Sequence, residues 1–169
     1  MFVRTLDGAQ IETDDRIPVE RLDPADAVRQ REVARLVAIG KESVRAGGSP
    51  SAEAFAVADL TTSCRRVATF VAIIDGQPAA AGSAGVWRGH PLSAAHLNLY
   101  GAATLPVFRG RGAQTALMRA RLAWGTAEGA VTASLDCRPG VASERNARRL
   151  GFELIYSKPV FHKALDGGR

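Results

Sequence analysis

At 169 residues, 46% hydrophobic and 23% charged, the chain has the make-up of a single globular domain, and no apolar run reaches the roughly 20 residues that span a bilayer. Its formal charge of +5 is unevenly spread: residues 1–100 hold 11 Lys/Arg against 12 Asp/Glu, and residues 101–169 hold 11 against 5, so a net −1 half precedes a net +6 half. A membrane span is excluded, and the second half is expected to meet a polyanion, either nucleic acid or a phosphate-bearing cofactor. The start, MFVRTLDGAQIETDD, has no charged segment followed by an apolar core, so a cytoplasmic protein is expected. Cys64 and Cys137 have no histidine near them at metal-ligand spacing and are expected to be buried thiols, with no metal.

In chain order, residues 1–16 read as a polar lead and 17–169 as one domain, beginning with a short strand at Ile17–Glu20. Asp23-Pro24 has the chemistry of a helix start, Val33, Leu36 and Val37 fall on one helical stripe, and Gly40 is a plausible stop. Gly47 to Ser51 breaks the chain and offers a cap for a second helix through Phe55, Val57 and Leu60. From Arg66 the residues turn β-branched and apolar as far as Asp75-Gly76, and a second apolar run follows Pro78, which predicts a hairpin. A third strand is expected over His96–Leu105. A helix over about Gly112–Glu128 would place Ala113, Ala116, Leu117, Ala120 and Trp124 on one face. A strand at Val131–Cys137, a short helix at Ser143–Leu150 stopped by Gly151, and strands at Phe152–Tyr156 and Val160–Ala164 close the chain. The order β-α-α-β-β-β-α-β-α-β-β predicts an α/β fold, a central mixed sheet flanked by helices.

Thr104–Leu122 is the most informative stretch. A strand-like run meets Arg109-Gly110-Arg111-Gly112 and passes directly into a helix, whose first N–H groups lack partners and carry a partial positive charge. The glycines allow close backbone approach and the arginines offer charge-assisted hydrogen bonds, so residues 110–115 are expected to hold phosphate. Neither a Walker loop nor the dinucleotide fingerprint fits, because Gly-Lys-Ser/Thr is absent and Thr115 stands where the third glycine belongs.

These residues resemble the GNAT superfamily of N-acetyltransferases, whose motif is Gln/Arg-x-x-Gly-x-Gly/Ala after the fourth strand. The match is Arg109-Gly110-Arg111-Gly112-Ala113-Gln114, with Gln114 in the last position and Pro106 three residues before the arginine. Ser143–Phe152, ending in Leu150-Gly151-Phe152, is similar to the family's helix before its closing strands. The resemblance spans about residues 17–164. It implies transfer of an acetyl group from acetyl-CoA to a primary amine, by direct attack on the thioester. It further implies a pyrophosphate held by the turn, a pantetheine paired with the strand end near Leu105 and Val107, and a thioester carbonyl polarised by a backbone N–H near Thr104 or Leu105. The implied cofactor residues are thus Thr104, Leu105, Val107, Arg109, Gly110, Arg111, Gly112, Ala113, Gln114, Thr115 and Asn146.

Catalytic residues are harder to assign. Ala147 stands where many members carry a tyrosine acid, and residues 96–104 contain no carboxylate. His96 and Tyr100, on one face by period-two spacing, are the weak candidates for the acceptor side. Arg119 and Arg121 are expected on a solvated helix face, Arg145, Arg148 and Arg149 at the surface, and Trp87 and Trp124 in the core. Two competing readings remain: an acyl-CoA-binding sensor without turnover, suggested by Ala147, and a nucleic-acid binder, suggested by the basic half but disfavoured by the lack of aromatics among its arginines. The acceptor's identity is not legible, and a homodimer through the closing strands is a family-based expectation.

Overall fold

The computed structural model describes residues 1–8, 11–12, 16–45, 50–63, 67–89 and 94–159. Seven strands, β1 (Phe2–Thr5), β2 (Val19–Arg21), β3 (Ala68–Ile74), β4 (Gln77–Trp87), β5 (Ala95–Thr104), β6 (Ala130–Leu135) and β7 (Glu153–Leu154), form one sheet in the order β2-β3-β4-β5-β6-β1-β7. All neighbours are antiparallel except β5 and β6, so the sheet is mixed as expected. Helices α1 (Ala27–Arg45) and α2 (Ala52–Ser63) close one apolar core, in which Val33, Leu36 and Val37 meet Val71, Ala81 and Ala103. Helix α3 (Ala113–Ala127) lies over the main core, where Leu117 and Leu122 join Phe70, Leu97 and Leu99, and α4 (Ala142–Arg149) adds Ala147 beside Phe2 and Phe152.

Local chemistry explains most boundaries. Asp75 and Gly76 both have positive φ, 52° and 73°, which supplies the tight two-residue turn of the β3–β4 hairpin. Ser51 caps α2, its Oγ accepting from the Ala54 N–H at 3.2 Å. Gly151 ends α4 with φ 76°. At α1 the cap shifts from its expected place. Asp23 accepts from the Ala25 N–H in a lead-in turn, and Asp26 is the true cap, accepting from the Arg29 N–H at 2.9 Å.

Three expectations are corrected. The first residues, expected to be a lead ahead of the sheet, supply β1 between β6 and β7, with Phe2 buried and Leu6 anchored by its N–H to the Val131 carbonyl. Gly40 does not stop α1, which runs to Arg45. Trp87 is not core: half of it is exposed on β4. Trp124 is packed against the main core, 5.8 Å from the Phe70 ring. Cys137 is half-buried, whereas Cys64 and the strand expected at Val160–Ala164 lie outside the described residues.

Gly40 is inside α1 for a packing reason. A β-carbon there would lie 2.8 Å from Ala103 Cβ and 3.1 Å from the Thr104 carbonyl oxygen, so glycine sets how closely α1 approaches β5. Alanine gains about 0.5–1 kcal/mol of helix preference over glycine, but forcing an extra carbon into a filled core costs about 1–3 kcal/mol, so overpacking wins. Gly40→Ala is expected to lower the melting temperature, and adding Ala103→Gly to recover it, as thermal unfolding of the two variants would show.

Candidate active site

The site begins with a mismatch between two strands. Ser83 pairs with Tyr100 and Ala81 with Ala103, so Gly82 faces both Gly101 and Ala102, a β-bulge in which Gly101 takes φ 65°. On the other side, β5 pairs in parallel with β6 only as far as Leu99 and Leu135. Beyond that point, from Tyr100 to Thr104, no strand among the described residues lies beside β5 on its β6 side. A cleft of about 280 Å³ opens there, lined by Tyr100, Gly101 and Ala102 of β5, Gln114, Met118 and Arg121 of α3, Ser143 and Asn146 of α4, and Lys41, Leu99, Leu135 and Asp136.

Its edge offers backbone hydrogen bonds. The Leu105 N–H donates to the Ala79 carbonyl at 3.0 Å, and Thr104 is in register with Ala80. By antiparallel alternation, the N–H and C=O of Thr104 point away from β4, into the open side. Leu105 is therefore not the polarising donor, since its N–H is taken; of the two expected, Thr104 remains. The strand also ends sooner than expected, because Pro106–Phe108 forms a 3₁₀ turn and Val107 is 78% exposed. Strand-like pairing thus stops short of Val107.

The glycine turn has the expected shape. Gly110 and Gly112 take φ 76° and 92°, and Gly112 is the N-cap of α3 with no side chain capping it. The Thr115 and Ala116 N–H groups both donate to the Gly112 carbonyl, and the preceding ones, on Ala113 and Gln114, have no acceptor inside the helix. The arginines behave differently from expectation. Arg111 makes a bidentate pair with Asp75 at 2.8 and 3.1 Å, with its guanidinium 5.8 Å from the Phe108 ring, and hydrogen bonding to Arg111 holds the Asp75 carboxyl below its usual range. Arg109 donates to the Gly40 carbonyl at 3.2 Å, tying the turn to α1. A larger depression of about 430 Å³, lined by Arg16, Ile17, Asp75, Gly76 and Arg111, lies against the hairpin turn, away from the open edge of β5.

Other predicted residues separate clearly. Gln114 and Asn146 both line the cleft, and the Gln114 amide donates to Thr104 Oγ1 at 2.8 Å. Ala113 is buried beneath the turn. Tyr100 reaches the cleft and His96 does not: its ring nitrogens meet Thr132 Oγ1 at 2.8 Å and Ser134 Oγ at 2.7 Å, and burial lowers its pKa. Sequence reasoning missed Met118, Asp136 and Ser143, and it misplaced Arg121, which is 2% exposed rather than solvated. Burial pushes the Lys41 pKa down, whereas the hydrogen bond from Lys158 keeps Asp136 ionised below its usual range.

Against this geometry, a family model described as Acetyltransferase (GNAT) family matches residues 42–152. The chain belongs to that family. Among solved structures, the GNAT chain is similar to the aminoglycoside acetyltransferase HMB0005 from an uncultured soil metagenomic sample, at 16% identity and a TM-score of 0.63 over 90% of this chain and 99% of that one. It is also similar to AAC(6')-Iy in complex with a bisubstrate analog, CoA-S-monomethyl-acetylneamine, at 22% identity, TM-score 0.60, 88% of this chain and 99% of that one. A transcriptional regulator from Bacillus halodurans C-125 shares the fold at 12% identity, TM-score 0.62, 87% and 99%. No curated protein matches it. These structural likenesses establish the GNAT fold, and none of the described helices is long and apolar enough to cross a membrane.

The position of His96 predicts a stability role. The folded protein keeps its ring neutral to lower pH than the unfolded chain does, so the unfolded state binds more protons in that window. The contribution is complete above the ordinary histidine pKa and is lost as the pH falls through the depressed one. His96→Gln is expected to alter this acid sensitivity and to leave acceptor kinetics within about twofold, measured by melts across pH and by steady-state rates.

Proposed function

We propose that the chain is an acetyltransferase that uses acetyl-CoA as donor and a primary amine as acceptor, by direct attack of the neutral amine on the thioester. The observation that carries this reading is the open edge of β5 at Thr104 lying beside the uncapped start of α3. One offers strand-like hydrogen bonds to an extended pantetheine, and the other offers free N–H groups and the helix dipole to a pyrophosphate. Thr104, Gly110, Gly112, Ala113, Gln114 and Asn146 would hold the donor. Thr115 belongs to the same helix start, although its N–H is used by Gly112. Arg109 and Arg111 act first as braces of the turn.

Acid–base chemistry in the cleft is sparse. Ala147 is fully buried and carries no acid, the α4 carboxylate Glu144 is taken by Arg148 and the Gly140 N–H, and β5 supplies no carboxylate. Tyr100 is the phenol in reach of the cleft, and Lys41, exposed overall, is the amine whose partial desolvation lowers its pKa. Placing a neutral amine against a thioester is itself a large part of such a reaction, so proximity is the main contribution assigned to this site.

The acceptor is expected to differ from those of the structural relatives. An aminoglycoside carries several positive charges, whereas the described cleft presents Lys41 and Arg121, and its one carboxylate, Asp136, is already paired with Lys158 at 2.7 Å. An acceptor with a single amine and no further cationic groups fits this lining better. The second reading, a domain that binds acyl-CoA without turnover, is favoured by the burial of Ala147. Release of free CoA from acetyl-CoA with a panel of mono-amines, amino acids and aminoglycosides decides between the two. Tight CoA binding with no release on any amine would overturn the enzyme reading.

Gly112→Asp tests the donor site. With φ 92°, any β-carbon there is strained, one would lie 3.3 Å from Ile17 Cδ1, and the added charge opposes a pyrophosphate. Acetyl-CoA affinity by titration calorimetry is expected to fall by more than about tenfold, with the fold intact by circular dichroism.

A further inference from the structure

Arg121 is the most unusual charge in the protein. Its guanidinium is buried in the wall of the cleft with no carboxylate near it among the described residues. Nε donates to the Leu117 carbonyl at 3.0 Å, and Nη1 donates to the carbonyl of Ser83 at 3.2 Å and lies 3.5 Å from that of Tyr100. Those last two carbonyls flank the bulge. A β-carbon on Gly82 would lie 2.8 Å from Nη1, so the glycine makes room for the guanidinium. Burial lowers its pKa to about 10, which still leaves it a cation at neutral pH. A cation whose partners among the described residues are neutral carbonyls, in a low-dielectric wall, gains most from an anion brought into the cleft.

Resting on the acetyl-transfer reading above, we propose that Arg121 stabilises the thiolate of CoA as it leaves. The amine nitrogen forms its bond to the carbonyl carbon and the C–S bond breaks. The bonding pair stays on sulfur as a thiolate, and the proton lost by the amine passes to solvent. Ala147 has no proton to give that sulfur and the Ser143 hydroxyl of α4 is far less acidic than a thiol, whereas a fixed positive charge lowers the energy of the anion without donating a proton. The other charged or titratable groups lining the cleft are Lys41 from α1, Tyr100 from β5 and Asp136 after β6, the last held by Lys158 and, at 3.6 Å, by the Met1 amine. Helix α4 presents Ser143 and Asn146.

The test compares CoA with desulfo-CoA, which lacks the thiol, by titration calorimetry on the full chain between about pH 6 and about pH 9. A thiol whose pKa drops by one unit on binding makes CoA gain steadily over desulfo-CoA as the pH rises, towards about tenfold once the pH passes the free thiol's own pKa. That gain is expected in the unaltered protein, retained in Arg121→Lys and in Lys41→Met, and lost in a folded Arg121→Met. A flat ratio in the unaltered protein overturns the proposal even if Arg121→Met does not fold, as does loss of the gain in Lys41→Met or its survival in Arg121→Met. Absence of any CoA binding would instead overturn the acetyl-transfer reading on which the proposal rests.

Discussion

The β4–β5 mismatch is the constraint on which the rest of the site depends. One residue, Gly82, faces two, Gly101 and Ala102, so β5 bends just where β6 ends, and the two parallel strands separate instead of continuing side by side. Beside the distortion, Arg121 reaches across from α3 to the Ser83 and Tyr100 carbonyls. Past the bulge the strand turns its Thr104 groups to the open side while Leu105 stays bonded to Ala79. A regular β5 would have no such edge to offer. The cleft is therefore a consequence of backbone pairing, held by one buried side chain and three small residues.

The same dependence explains which parts of the chain were legible in its sequence. The hairpin turn, the glycine-rich turn and the alanine face of α3 each declare themselves locally, because Asp75-Gly76, Gly110 and Gly112 have positive φ that few other residues tolerate and the helix face repeats at 3.6-residue spacing. Features set by a distant partner did not. Gly40 looks like a helix stop until Ala103 and Thr104 are seen beneath it, and Arg121 looks like one of two solvated arginines until the bulge carbonyls appear. Phe2–Thr5 is too short to show a period, and only its place between β6 and β7 makes it a strand. His96 and Tyr100 share a face as expected, but only the structure shows that β6 hydroxyls take up the histidine while the tyrosine lies beyond the end of β6.

Net charge misleads about how an anion would be held here. The +6 half invites a picture of arginines gripping phosphate, yet Arg111 is paired with Asp75, Arg109 bonds the Gly40 carbonyl, Arg148 pairs with Glu144 at 3.0 Å and Arg121 is buried. The groups without an acceptor inside the helix are the neutral N–H donors on Ala113 and Gln114, aligned by the helix start. On the proposed acetyl-CoA reading, affinity for a pyrophosphate follows from backbone geometry, and its salt dependence is expected to be modest compared with that of a nucleic-acid groove.

Ala147 shows how far the catalytic side has moved from an acid. Its side chain is fully buried and its carbonyl accepts from the Phe152 N–H at 3.0 Å, so the position is committed to packing α4 against the start of the closing strand. A tyrosine there would have to displace that contact, so restoring an acid is more than adding a hydroxyl. Yet the anion that such an acid would neutralise must still form if acetyl transfer occurs. Position 147 lacks that proton source and the cleft wall contains a buried cation with no carboxylate near it among the described residues, and these two irregularities compensate each other: the charge that is costly to bury in the resting protein becomes favourable when a thiolate appears beside it.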